Sequence, residues 1–96
     1  MTGHLDFRES SDTYFVVVVR EGRYRVIPCR DSIQWIIQRH TAPSKNAAGG
    51  RWVAEDYLTT RAALARLWQV KTGVVRREIL ELPERFGRAT RAQYHV

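Results

Sequence analysis

A single cysteine, Cys29, cannot close an intramolecular disulfide, and with the scattered histidines His4, His40 and His95 it provides no zinc-ligand spacing. A reducing, cytoplasmic setting is the simplest expectation. The chain also lacks a long apolar run. Its longest, Tyr14 to Val19, falls far short of the ~20 residues that cross a bilayer, and its amino terminus is polar rather than signal-like, so a soluble, unprocessed protein is expected. Gly49-Gly50 is not followed by the Lys and Ser/Thr of a phosphate loop. A nucleophile, a histidine and an orienting acid are not found together, and Cys29 reads as a small buried or edge residue. Glu55 and Asp56 are neighbours in a predicted strand and so should face opposite ways, which disfavours a shared acid/base site. These absences argue against an enzyme, a metal or a cofactor.

Acids are scarce where bases are dense. Between positions 20 and 51 the chain carries seven Lys/Arg (Arg20, Arg23, Arg25, Arg30, Arg39, Lys45 and Arg51) against Glu21 and Asp31, which supplies most of the formal charge of +6. A balance of this sign favours polyanions or an acidic protein surface as partner. The 96 residues suit one small domain, and 44% hydrophobic residues are enough to fold it.

Residues 1–12 are mixed polar and read as a flexible leader before a single domain over 13–82. The β-branched and aromatic run Tyr14–Val19 predicts a central strand, turned at Gly22 into a second strand, Tyr24–Pro28, as an antiparallel hairpin. Ile33–Arg39 predicts a third strand with Ile33, Trp35 and Ile37 on one face. The glycine-containing stretch Thr41–Gly50 reads as a flexible loop, and Arg51–Tyr57 as a fourth strand. Thr59 or Thr60 can cap a helix over Arg61–Val70 that ends at Gly73, its Leu64, Leu67 and Trp68 forming an apolar stripe to lie across the sheet. Val75, Ile79 and Leu82 allow a further short helix before Pro83, and residues 83–96, with Arg85, Arg88 and Arg91, read as a basic tail. The expected class is α+β: a four-stranded antiparallel sheet with one helix on a face.

Arginines on a strand can contact phosphates and, through planar donors, base edges; the bland alternative is a solvated face or a charge-protected edge. Arg20, Arg23, Arg25, Arg39 and Arg51, with Lys45 on the adjoining loop, are therefore the candidate contacts for DNA or RNA, or for an acidic surface of a host nucleoprotein complex. Trp35, Trp52 and Trp68 are candidates for stacking or an interface anchor, and each also sits where the pattern predicts core. Trp52, beside the glycine loop, is the one expected to be partly exposed.

Two resemblances follow from these segments. The order of strand, glycine-containing connection, "RWVAEDY" strand, Thr-Thr cap and "TTRAALARLW" helix resembles the plan of the plant AP2 and phage integrase arm-binding domains, which implies a sheet that reads the major groove. The hydrophobic hairpin, "QWII" strand and "T…AL..L" helix over Tyr14–Trp68 resemble short proteins of phages and other mobile elements. That setting implies a nucleic-acid-binding protein or an inhibitor of a host defence complex of the anti-CRISPR kind, with no residue role carried over.

Overall fold

The structure is a computed structural model that describes residues 6–42 and 50–94. Four strands, β1 (Val19–Glu21), β2 (Tyr24–Pro28), β3 (Trp35–His40) and β4 (Trp52–Leu58), form one antiparallel sheet in sequence order. Three helices follow: α1 (Arg61–Thr72), the single turn α2 (Arg77–Leu80) and α3 (Arg88–Gln93). The fold is α+β, as the sequence pattern predicts.

Alternation divides the sheet into two faces. On the helix side, Val19, Val26, Trp35, Ile37 and Leu58 pack with Leu64 and Trp68 of α1 and with Ile79 and Leu82. The boundaries of α1 are set by local chemistry. The Thr60 hydroxyl accepts the Ala63 N–H at 3.3 Å, and Gly73 takes the left-handed conformation (φ 79°) that lets its own N–H close on the Gln69 carbonyl. The shorter α2 departs from the expected Val75–Leu82 helix because only Ile79 and Leu82 find the core, whereas Val75 is exposed.

The other face, the outer one, is also covered. Tyr14, Phe15 and Val16 pack on Ile27, Cys29 and Ile36. Val18 and Val19 belong to the helix-side core instead. The run Tyr14–Val19 thus passes from one face to the other around the sheet edge, which corrects the expectation of a central strand. Apart from the exposed Val17, its apolar residues are divided between two cores, so only Val19 enters the ladder, as part of a short edge strand. The described part of the expected leader is likewise structured. The Asp6 carboxylate accepts hydrogen bonds from the Ser11 and Thr13 hydroxyls, both at 2.6 Å, and from Arg8, which holds its pKa well below the usual carboxylate range. At the other end, Thr90 and Tyr94 are buried and Phe86 lies 4.9 Å from the Trp35 ring, so residues 84–94 are an ordered part of the domain rather than a loose tail.

Most of the expected loop, residues 43–49 with Lys45, lies outside the described residues. Its base is well defined. The Thr41 N–H donates to the Arg51 carbonyl at 2.8 Å, and the Arg51 N–H returns to the Thr41 hydroxyl at 3.0 Å. Gly50 is the residue this closure demands, since a Cβ there would overlap the His40 ring and the Ala42 methyl. Gly50→Ala should therefore cost about 1–3 kcal/mol as an overpacking substitution. A drop of several degrees in the thermal midpoint, read by circular dichroism, checks it; an unchanged midpoint would show that His40 gives way freely.

Candidate functional site

The candidate residues are arranged around Trp52. Its indole lies on the outer face and reaches across β3 to β2 and β1, with the Arg25 guanidinium carbon 4.4 Å and that of Arg20 5.0 Å from the ring centroid. Arg20 and Arg25 are cross-strand partners, an arrangement that is unfavourable for two like charges. The shared aromatic face and the nearby Asp12 carboxylate offset that repulsion. Asp12 accepts the Trp52 indole N–H at 2.6 Å, and the His40 ring meets the indole edge-on at 4.9 Å. Trp52 is only 1% exposed, which corrects its expected partial exposure: the chain leading into Asp12 closes over it, and the Trp52 N–H donates to the Ser10 carbonyl.

Arg25 is buried too, at 1% exposure, and so is not placed to meet a phosphate. Its Nε donates to Gln38 Oε1 at 2.7 Å, and its Nη2 donates to the carbonyls of Glu9 (3.0 Å) and Ser11 (2.8 Å). Gln38 completes the network by donating to the Glu9 carbonyl at 2.7 Å. Burial pushes the Arg25 pKa down to about 10, with Asp12 opposing the shift, so the side chain remains charged at neutral pH. Arg25 is a structural cation that ties the amino-terminal segment to the sheet.

Arg39 falls on the opposite, helix-side face. It pairs with Glu55 at 2.7 Å, and Lys71 of α1 reaches both Glu55 (2.7 Å) and Asp56 (3.1 Å). The expectation that Glu55 and Asp56 diverge is overturned by a β-bulge. Ile37 pairs with Asp56 and Gln38 with Ala54, leaving Glu55 as the extra residue, so both carboxylates reach one ammonium. Hydrogen bonds from Lys71 and then Arg39 lower the Glu55 pKa, and those charges are spent on clamping α1 to β4.

Arg20, Arg23 and Arg51 remain exposed. Arg23, in the β1–β2 turn, donates from Nε and Nη2 to the carbonyl of His40, the last residue of β3, and Arg51 immediately precedes Trp52, the β4 residue paired with His40. These arginines therefore gather at one end of the sheet, next to an open cleft of ≈ 500 Å³ lined by Arg8, Ser10, Ser11, Asp12, Gly50 and Arg51. Among the described residues none of the three forms an ion pair with a carboxylate. Such an end can attract and hydrogen-bond an anion, and Asp12 would repel it at short range.

Sequence reasoning missed Glu9, Ser11 and Asp12, whose bonds to Arg25 and Trp52 join residues 14 to 40 positions apart. No local pattern carries that signal. Among the described residues no group of three His, Cys, Asp or Glu could hold a metal ion, and no helix is long and apolar enough to cross a membrane. Compared with family models, curated proteins and solved structures, the chain matches none.

Proposed function

We propose that this is a non-enzymatic nucleic-acid-binding protein of a phage or other mobile element, which engages the phosphate backbone with the end of its sheet rather than with a sheet face. The observation that carries the reading is the grouping of exposed Arg20, Arg23 and Arg51 without carboxylate partners among the described residues, in a chain of formal charge +6. Both faces of the sheet are covered, so a groove-reading sheet of the AP2 kind would first have to shed residues 6–16. Contact through an end also fits backbone recognition without base readout.

Fluorescence anisotropy with random duplex and single-stranded DNA and RNA tests this at low and near-physiological salt. Each phosphate contact on duplex DNA contributes about −0.9 to the slope of log affinity on log salt. Replacing Arg20, Arg23 and Arg51 together by serine should lower the slope magnitude by roughly 2–3 and weaken binding by about tenfold or more, evenly across sequences. Absence of binding at low salt sinks the proposal.

A second reading is a protein antagonist that docks on an acidic surface of a host nucleoprotein complex. It is favoured by the exposed apolar side chains on residues 70–80, Val70, Val74, Val75 and Leu80, together with Tyr57 at 59% exposure. It predicts a stoichiometric complex with a protein and little affinity for free nucleic acid.

A further inference from the structure

Resting on the nucleic-acid reading above, we propose that the carboxy-terminal segment is a second phosphate-backbone contact, at the opposite end of the sheet, so that one protein molecule holds two nucleic-acid segments. The segment is fixed by its own core. Phe86 packs on Trp35, Thr90 and Tyr94 are buried, the Thr90 hydroxyl donates to the Arg85 carbonyl at 3.2 Å, and Thr60 pairs with Arg85 in an antiparallel bridge. Arg85, Arg88 and Arg91 follow at intervals of three, and the last two share one side of α3. All three are exposed.

Arg91 Nε donates to the Ser32 carbonyl at 3.1 Å, which brings this row against the β2–β3 turn and its exposed Arg30. Elsewhere the ion pairs engage Arg8, Arg39, Lys71 and Arg76, yet among the described residues the side chains of Arg30, Arg85, Arg88 and Arg91 form no ion pair, although Asp31 and Glu84 are their sequence neighbours and the Glu9 carboxylate accepts the Arg30 backbone N–H at 2.7 Å. The spatial argument rests on β3. Phe86 sits on Trp35, its first residue, whereas Arg23 binds the carbonyl of His40, its last. The backbones under the two arginine groups are thus separated by roughly 17 Å, at about 3.3 Å per strand residue, and the side chains lie at opposite ends. A phosphate backbone is the occupant that suits a row of guanidiniums that form no ion pair among the described residues, because each can take a phosphate through its remaining donors.

Bridging is the readout. A short duplex DNA is immobilised on beads, the full-length protein is added, and recruitment of a second, fluorescent duplex is measured at low salt. The wild-type protein should recruit it. Arg85→Gln/Arg88→Gln/Arg91→Gln should reduce recruitment by about tenfold while retaining single-duplex binding by anisotropy, with a salt slope smaller by roughly 2–3. Arg88→Glu alone, which disturbs no hydrogen bond to the fold among the described residues, should show the same direction and guards against misfolding of the triple variant. Wild-type protein that binds one duplex but recruits no second, or variants that bridge as well as wild type, would overturn the proposal and leave the first contact standing. Failure to bind any duplex would overturn both.

Discussion

Replacing Trp52 by alanine is expected to destabilise the fold by about 3–5 kcal/mol, the range for removing a large buried aromatic side chain. Against a typical total of about 5–15 kcal/mol for a small domain, that is enough to leave an appreciable unfolded fraction at moderate temperature. The indole is the common wall for Arg20, Arg25 and His40, and its N–H is the donor that holds Asp12. Its loss opens a hollow and leaves Arg20 and Arg25 facing each other across the strands without the ring. Trp52→Phe should recover most of the packing and lose the Asp12 hydrogen bond, worth about 1–2 kcal/mol. Urea titrations of the three proteins check this order. An alanine variant within about 1 kcal/mol of the parent would mean that the amino-terminal segment can collapse into the vacated space, and that Trp52 is not its anchor.

The helix side of this fold was legible in the sequence because its signals are local. Thr60 and Gly73 mark the ends of α1, and Leu64 and Trp68 repeat at helical spacing, so cap, stop and buried stripe all lie within one short window. The positions of β2, β3 and β4 were legible for the same reason, β2 on its expected bounds and β3 and β4 within one or two positions of theirs, whereas β1 begins at Val19, where the expected first strand ended. What alternation does not disclose is what lies over a face. Arg25 follows the pattern of a solvated strand residue, sharing its face with Ile27, and becomes a core residue only because the carbonyls of Glu9 and Ser11 arrive from far along the chain. The bulge at Glu55 is hidden in the same way, since "AEDY" reads as regular alternation until the pairing with β3 is known. The basic span was therefore a sound indicator of charge and a poor guide to which arginines meet solvent: Arg20, Arg23 and Arg51 do, Arg25 does not, and Arg39 is half-exposed and paired with Glu55.

Arg25→Met separates a structural role from a phosphate-binding one. Methionine approximates the length of the aliphatic stem, so the main loss is the donor fork. Gln38 Oε1 and the carbonyls of Glu9 and Ser11 would each lose a donor from Arg25. Two effects oppose each other. Removing the cation relieves the desolvation that pushes its pKa down to about 10, and replacing every member of a buried polar cluster by apolar groups can be neutral. Here only one member is replaced while its acceptors stay buried, at about 1–3 kcal/mol for each left unsatisfied. The Glu9 carbonyl keeps its bond from Gln38 and the Ser11 carbonyl keeps the Tyr14 N–H at 3.3 Å, so the loss falls chiefly on Gln38 Oε1. A net destabilisation of about 1–3 kcal/mol is the expected result, with Arg25→Lys intermediate because it keeps the charge but not the fork. Urea unfolding gives the free energy, and anisotropy at several salt concentrations gives the phosphate count. The stability should fall while the salt slope of the remaining folded protein stays at the wild-type value, because the guanidinium is out of reach of solvent. The reverse outcome, unchanged stability with a slope smaller by about one, would make Arg25 a phosphate ligand and require residues 6–16 to lift from the sheet on binding.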